Sequence, residues 1–154
     1  MFQCIIKFIS NNIQGVTGEG RMNLKKSYKG FVIWMISFCV VSTGVCFLPV
    51  NPTIMSRIVC NICTFGITLL TFIIYKTEYV YWYNGTSYED AQKAGSDRRK
   101  AFAWKHVQAF GSFSLIFLLF SLISHILKFS LWIDILVVTV GIIVVAFRTI
   151  PFKL

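Results

Sequence analysis

The sequence predicts an all-α integral membrane protein with four transmembrane helices in two hairpins, joined by a helical, basic cytoplasmic loop. Of its 154 residues, 56% are hydrophobic and only 14% are charged, whereas soluble domains carry about 25% charged residues. The mean hydropathy is +0.69. So little charge cannot cover a surface that faces water, and we expect most of the surface to face lipid.

The positive charge of the chain fits this class. Lys and Arg total 15 against 6 Asp and Glu, a formal net charge of +9. In a soluble protein this excess would suggest nucleic acid as a partner, but in membrane proteins basic residues collect on the cytoplasmic side. We therefore expect membrane lipid as a partner and no nucleic acid.

Residues 1–30 form the first predicted unit, a cytoplasmic or interfacial segment that precedes the membrane domain at 31–154. Apolar side chains near the start recur at helical spacing, which favours a short helix lying in the membrane interface. Met22 opens a conventional basic lead into a membrane helix and is an alternative start of the protein.

The four long apolar runs each have a signal that ends them. The first stops at Pro49 and Pro52, which break helices, and the last is closed by Arg148 and Pro151. An aromatic cluster follows the second run, as is typical of a membrane interface. The predicted spans are 31–48, 58–75, 109–127 and 131–147.

The predicted cytoplasmic loop, residues 76–108, has helical signals of its own. Asn84-Gly85 is a turn signal, and Thr86 with Glu89 forms a capping box for a short helix from Ser87 to Ala94. Ser96 then caps a second helix that continues into the third span.

The orientation follows from the basic residues near the ends of the runs. Eleven lie before the first run, between the second and third, or after the fourth, whereas only Arg57 and Lys128 occupy the other two connections. The positive-inside rule then places both termini and the loop in the cytoplasm of a plasma or inner membrane.

A C-x-x-C motif, Cys60 to Cys63, falls at the predicted outer start of the second span. At a helix N-terminus this motif favours the thiolate and suits disulfide exchange. The layout resembles the DsbB family of quinone-coupled disulfide-forming membrane enzymes, which implies a redox role for Cys60 and Cys63. The chain departs from that family between spans three and four, where Lys128-Phe129-Ser130 contains no second cysteine pair. The alternative is that these cysteines are small apolar side chains.

Small and hydroxylated residues form a stripe on each of the two middle spans. In lipid such residues let helices approach closely and hydrogen-bond across the contact, so the stripes predict helix packing. The alternative is a narrow aqueous path through a homo-oligomer. The stripes comprise Thr64, Thr68 and Thr71 on span two, and Gly111, Ser114, Ser121 and His125 on span three.

Asp134 is the only acidic residue within an apolar run. Charges at membrane depth are costly and often functional. Asp134 also lies early in its helix, where the dipole favours an anion, and Lys128 is near enough in sequence to pair with it. We expect an anchoring role at the outer face, with proton or ion handling together with His125 as the alternative. The histidines are predicted on opposite faces, and no metal site is expected.

A basic and aromatic segment leads into the third span. Its basic side chains are typical of contacts with anionic headgroups, and its aromatic rings are typical of interfacial anchors. The alternative is a site for a phosphorylated ligand or an acidic protein partner. The residues are Arg98, Arg99, Lys100, Trp104 and Lys105.

The sequence contains no Walker loop, G-x-S-x-G or H-E-x-x-H motif and no paired carboxylates that suit catalysis. We therefore predict no cofactor and a non-enzymatic membrane module with a regulatory, immunity-like or accessory role. Two alternatives remain open: an oligomeric pore or small transporter lined by the hydroxyl stripes, and a thiol-disulfide oxidoreductase.

Overall fold

The computed structural model describes residues 26–83 and 85–154, and all the regular secondary structure in those residues is helical. The predictions for residues 1–21 and for Met22 lie outside this part of the chain. The elements are α1 (Lys29–Val45), α2 (Pro52–Thr77), a 3-10 turn (Val80–Trp82), α3 (Tyr88–Lys93), α4 (Ser96–Ile126) and α5 (Leu131–Thr149).

Three helices, α2, α4 and α5, are long and apolar enough to cross a membrane. The all-helical membrane class is therefore confirmed to that extent. The first predicted span forms α1, which has 17 residues and a length of about 25 Å, somewhat less than a typical 30 Å hydrocarbon layer.

Helix α2 begins well before the predicted start of the second span. Asn51 caps it, because its side-chain oxygen accepts a hydrogen bond from the Thr53 amide at 2.9 Å, and Pro52 occupies the first turn. The helix thereby includes Arg57, which the apolar run alone excluded.

Glycines let α1 and α5 approach their neighbours closely. The Phe38 ring of α1 lies directly over Gly66 of α2, and the Phe113 ring of α4 lies directly over Gly141 of α5. Helix α2 contacts α1, α4 and α5 and is therefore the central helix of the bundle.

We call the end of the bundle that carries residues 78–95 the loop end, and the end that carries the connections 46–51 and 127–130 the turn end. The largest apolar core lies at the loop end, where Ile74 of α2 and Phe102 of α4 enclose Val80 and Tyr81. The chain enters this core through Glu78, whose φ of 60° turns it sharply at the end of α2.

Both ends of the described chain pack on the loop end. The backbone carbonyl of Ser27 accepts hydrogen bonds from the Tyr81 hydroxyl at 2.8 Å and from the Trp82 indole at 3.1 Å. Near the other end, the Phe152 ring meets the His106 ring edge to face at 5.3 Å. The loop end is thus a folded unit that ties both ends of the described chain to the bundle.

The predicted helices of the loop are present with shifted caps. Ser87, not Thr86, caps α3, because its hydroxyl accepts a hydrogen bond from the Asp90 amide at 3.0 Å. Gly95 precedes α4, and the Ser96 hydroxyl turns to Glu78 instead of capping the helix. Helix α4 does continue without a break into the third apolar run, as predicted.

Candidate functional site

A buried ion pair lies at the turn end between α2 and α5. The Arg57 Nε donates to Asp134 Oδ2 at 2.8 Å, and the two residues are only 7% and 0% exposed. Two opposite charges at membrane depth stabilise each other where water cannot. The pair joins residues that lie 77 positions apart in sequence.

The rest of the Arg57 guanidinium binds α4 and the connection that follows it. Its Nη2 donates to the Phe129 carbonyl at 2.9 Å and to the Ser124 hydroxyl at 3.2 Å, while Nη1 lies 3.1 Å from His125 Nδ1. A guanidinium can only donate, so His125 accepts at Nδ1 and carries its proton at Nε2. One arginine therefore links α2, α4 and α5.

The structure changes the expected partner of Asp134. Lys128 was the expected partner because it is near in sequence, but Lys128 is exposed and forms no ion pair within the described residues. Lys128 has a φ of 53° in the tight connection before α5. Arg57 is the better partner because its flat guanidinium also satisfies carbonyl and hydroxyl acceptors around it.

The two hydroxyl stripes face each other. Thr68 and Ser114 share a hydrogen bond of 2.8 Å between their hydroxyl oxygens, and the Ser114 hydroxyl also lies 2.9 Å from the Thr64 carbonyl. A side chain added at Gly111 would touch Thr68. Nearer the turn end, the Asn61 amide donates to the Ser121 hydroxyl at 3.0 Å. We call this α2 to α4 contact the hydroxyl seam.

The hydroxyl seam is buried within one chain. Thr64, Thr71, Ser114 and Ser121 are all inaccessible or nearly so, and Thr71 bonds to the Thr68 carbonyl of its own helix. Contacts of this kind hold helices together in lipid. The stripes therefore support helix packing.

Sequence reasoning missed two members of the same helix face. Arg57 and Asn61 precede Thr64, Thr68 and Thr71 at spacings of four and three, so all five project from one side of α2. Starting the second run at residue 58 excluded Arg57, and limiting the stripe on span two to Thr64, Thr68 and Thr71 excluded Asn61. The regular spacing of four and three residues was the sequence signal that could have identified both residues.

The C-x-x-C motif does not lie at a helix N-terminus. Helix α2 begins at Pro52, so Cys60 lies in about its third turn. The dipole effect expected for a thiolate falls off within the first turn. Cys60 and Cys63 are half-buried free thiols along the side of a continuous helix.

A second buried ion pair organises the loop end. Arg99, only 4% exposed, donates through Nε and Nη2 to Glu78 Oε2 at 3.0 and 2.8 Å, and through Nη1 to the carbonyls of Ala91 and Ala94. Arg99 was predicted to contact anionic headgroups or a ligand. Its guanidinium is instead enclosed and fully engaged inside the protein.

The environment of Glu78 favours its charged form. Burial alone would raise the pKa of this carboxyl, but hydrogen bonds from Ser96 and Arg99 and the charges of Arg99 and Lys100 outweigh burial and hold the pKa below its ordinary value. The Lys100 ammonium lies 3.4 Å from Glu78 Oε1 with half of its side chain exposed. Glu78 therefore anchors the start of α4 as an anion.

Of the predicted basic residues, Arg98 lines an open groove at the loop end, whereas Lys100 and Lys105 are exposed outside it. The groove has a volume of about 460 Å³, and Lys93, Arg98 and Lys153 supply positive charge around it. One acidic side chain, Asp90, lies on its wall and accepts a hydrogen bond from Ser87 at 2.6 Å. We call this site the basic groove.

Trp104 and Lys105 lie farther along α4, toward the bundle. The Trp104 ring is 5.3 Å from the Tyr75 ring and is partly exposed, while the Lys105 ammonium lies 5.9 Å over the Phe152 ring. An exposed aromatic ring beside lysine is typical of the membrane interface.

His106 and His125 both lie on α4 but are about 28 Å apart along the helix axis. They therefore cannot share one metal ion. His106 stacks on the Tyr83 ring at 4.1 Å instead, and its Nδ1 lies 3.0 Å from the Phe102 carbonyl.

Together these features define a small helical membrane protein whose described residues form two buried ion pairs, one at each end of the bundle. No known protein family, curated protein or solved structure gives a significant match to this chain.

Proposed function

We propose that the protein is a non-enzymatic membrane module that binds an acidic segment of a partner protein in its basic groove. Its role would be regulatory, immunity-like or accessory. In this proposal α1 is a fourth span, both ends of the described chain and the loop end lie in the cytoplasm, and the membrane is a plasma or inner membrane. The observation that carries the proposal is a groove at the loop end that is lined by three exposed cations, Lys93, Arg98 and Lys153.

The height of the groove above the membrane favours a protein partner over lipid. Along α4, Arg98 lies about 42 Å from Ile126 at the turn end, whereas Lys105 lies about 31 Å from it. With a hydrocarbon layer of about 30 Å, Lys105 and Trp104 fall at the headgroups and Arg98 stands about 10 Å above them. In this proposal Trp104 and Lys105 contact the headgroups, and Arg98 contacts the acidic partner.

The charge balance of the groove favours an acidic occupant. Three cationic side chains and one carboxylate side chain line it, and Glu78 already neutralises Arg99. Carboxylate side chains of a partner would form charge-assisted hydrogen bonds with Arg98 and attract Lys93 and Lys153.

The test uses the full chain in nanodiscs of neutral phosphatidylcholine and a fluorescent peptide of ten glutamates as the probe. Arg98→Glu should weaken peptide binding about tenfold, because charge reversal replaces an attraction with a repulsion. The matched control is Lys128→Glu, which makes the same charge change at the exposed turn end and should leave the affinity unchanged.

Equal losses in the two variants would contradict the proposal, since binding would then follow net charge alone. Titration with phosphatidylglycerol in the same nanodiscs separates the lipid alternative. Complete displacement of the peptide by this lipid would show that the groove serves anionic headgroups and would also overturn the proposal.

A further inference from the structure

One contact of the Arg57 guanidinium depends on the protonation state of its partner. The acceptors on Ser124 and Phe129 are a hydroxyl and a backbone carbonyl, which accept hydrogen bonds at any pH. His125 is different, because its Nδ1, 3.1 Å from Arg57 Nη1, accepts only while the ring is neutral. A second proton on the ring would occupy Nδ1 and bring two cations together. The contact and the second proton therefore exclude each other.

His125 can exchange protons with water at the turn end. It is exposed and lies in the last turn of α4, about 30 Å along the helix from Lys105. With Lys105 at one headgroup layer, His125 therefore falls at the other. Arg57, in contrast, is only 7% exposed and is held by Asp134 at 2.8 Å. The ring can thus turn outward to water while the guanidinium stays in place.

The other titratable groups at this end belong to every element that packs there. An arginine remains charged throughout, and the carboxylate of Asp134 is paired with it. Histidine is the side chain that changes charge between about pH 5 and pH 8. Besides His125, the titratable side chains on the turn-end halves of the described helices and in their connections are Arg57, Lys128, Asp134 and the thiols of Cys39, Cys46, Cys60 and Cys63.

We propose that the hydrogen bond from Arg57 to His125 is a pH-sensitive contact that controls how readily the turn end opens. While the ring is neutral, the contact joins α2 to the last turn of α4. In acid on the turn-end side, Nδ1 takes a proton from water and the ring turns away from the guanidinium. Residues 124–130, which end α4 and lead into α5, then open more readily.

The remaining contacts of Arg57 explain why the change stays local. After the ring has left, the guanidinium still donates to Asp134, to the Ser124 hydroxyl and to the Phe129 carbonyl. The three helices therefore remain joined, and only the hold on the end of α4 weakens. This inference is independent of the basic groove, because every group that it uses lies at the turn end.

The test is amide hydrogen exchange of the full chain in phosphatidylcholine nanodiscs at about pH 8 and about pH 5, compared at each pH with His125→Gln. The glutamine amide oxygen can accept from Arg57 and does not titrate. Comparison at the same pH cancels the intrinsic pH dependence of exchange. Residues 124–130 should exchange equally in the two proteins at the higher pH. At the lower pH they should exchange about tenfold faster in the unmodified protein, as expected for one lost hydrogen bond to a charged group.

A control variant and a measurement on the unmodified protein complete the test. His106→Gln makes the same substitution far from the turn end and should keep the pH response of residues 124–130. A ratio of exchange rates that does not change with pH would overturn the proposal, as would loss of the response in His106→Gln. Nitrogen NMR of the histidine-labelled protein at about pH 8 should find the ring proton of His125 at Nε2, and a neutral ring protonated at Nδ1 would refute the contact without any variant.

Discussion

The buried ion pair at the turn end allows a sharp test of what holds the bundle together. The perturbation is a double-mutant cycle with Arg57→Met, Asp134→Leu and the double variant. Each replacement is apolar and of roughly similar volume, so the double variant removes both charges without opening a large cavity. Each single variant leaves one buried charge without its counter-ion.

The structure predicts that the two single variants lose different amounts of unfolding free energy. Removing one partner of a buried ion pair costs about 3–5 kcal/mol. Arg57→Met should lie near the upper end, because Arg57 is the only partner of the Asp134 side chain among the described residues. Asp134→Leu should lie near the lower end, because Arg57 keeps His125, Ser124 and Phe129 as acceptors.

The double variant should be about 3 kcal/mol more stable than Arg57→Met, since apolar replacement of a buried pair is often neutral or stabilising. The assay is reversible unfolding in mixed micelles with increasing dodecyl sulfate, followed by circular dichroism. Arg98→Met is the matched control, because Arg98 is exposed, and it should stay within about 0.5 kcal/mol of the unmodified protein. A double variant no more stable than Arg57→Met would refute the reasoning.

Two further predictions concern the loop end and the contact between α1 and α2. Because the folded-state pKa of Glu78 lies below its ordinary value of 4.5, its stabilisation is fully present above that pH and is lost as the pH falls through the folded pKa. The unfolding temperature of Glu78→Gln should therefore fall less on acidification than that of the exposed control Glu89→Gln, and equal acid slopes would contradict this. Gly66→Ala should destabilise the protein by about 1–3 kcal/mol in the micelle assay, because the new Cβ would overlap the Phe38 ring. Gly44→Ala meets no atom within 4 Å and should be neutral or slightly stabilising, so equal effects of the two alanines would contradict the packing.

Much of the membrane architecture could be predicted from the sequence because lipid imposes strong rules on it. A spanning segment must be long, apolar and helical, since its backbone polar groups have no water to bind. These constraints predicted the long apolar helices, and the helical signals after Gly85 predicted that α4 continues into the third run. The φ of 89° at Gly85 matches the turn that a glycine favours.

The partners of the charged residues could not be predicted in the same way. Asp134 was noticed because it is alone in an apolar run, yet its partner comes from a helix 77 residues earlier, and one sequence holds no direct signal for so distant a contact. Arg98 and Arg99 are adjacent and chemically identical, but their side chains point to different sides of α4, so one lines the basic groove and the other is buried against Glu78. Tertiary packing alone distinguishes them.

The Arg57 to Asp134 ion pair also has a consequence for biosynthesis, because its two residues are made at different times. At a synthesis rate of about 5–20 residues per second, Asp134 is made roughly 4–15 s after Arg57. During that interval α2 carries an uncompensated cation close to the lipid, and α5 brings the anion that neutralises it. A nascent chain interrupted before α5 would expose a charged helix inside the membrane, which is the kind of defect that membrane quality control can recognise.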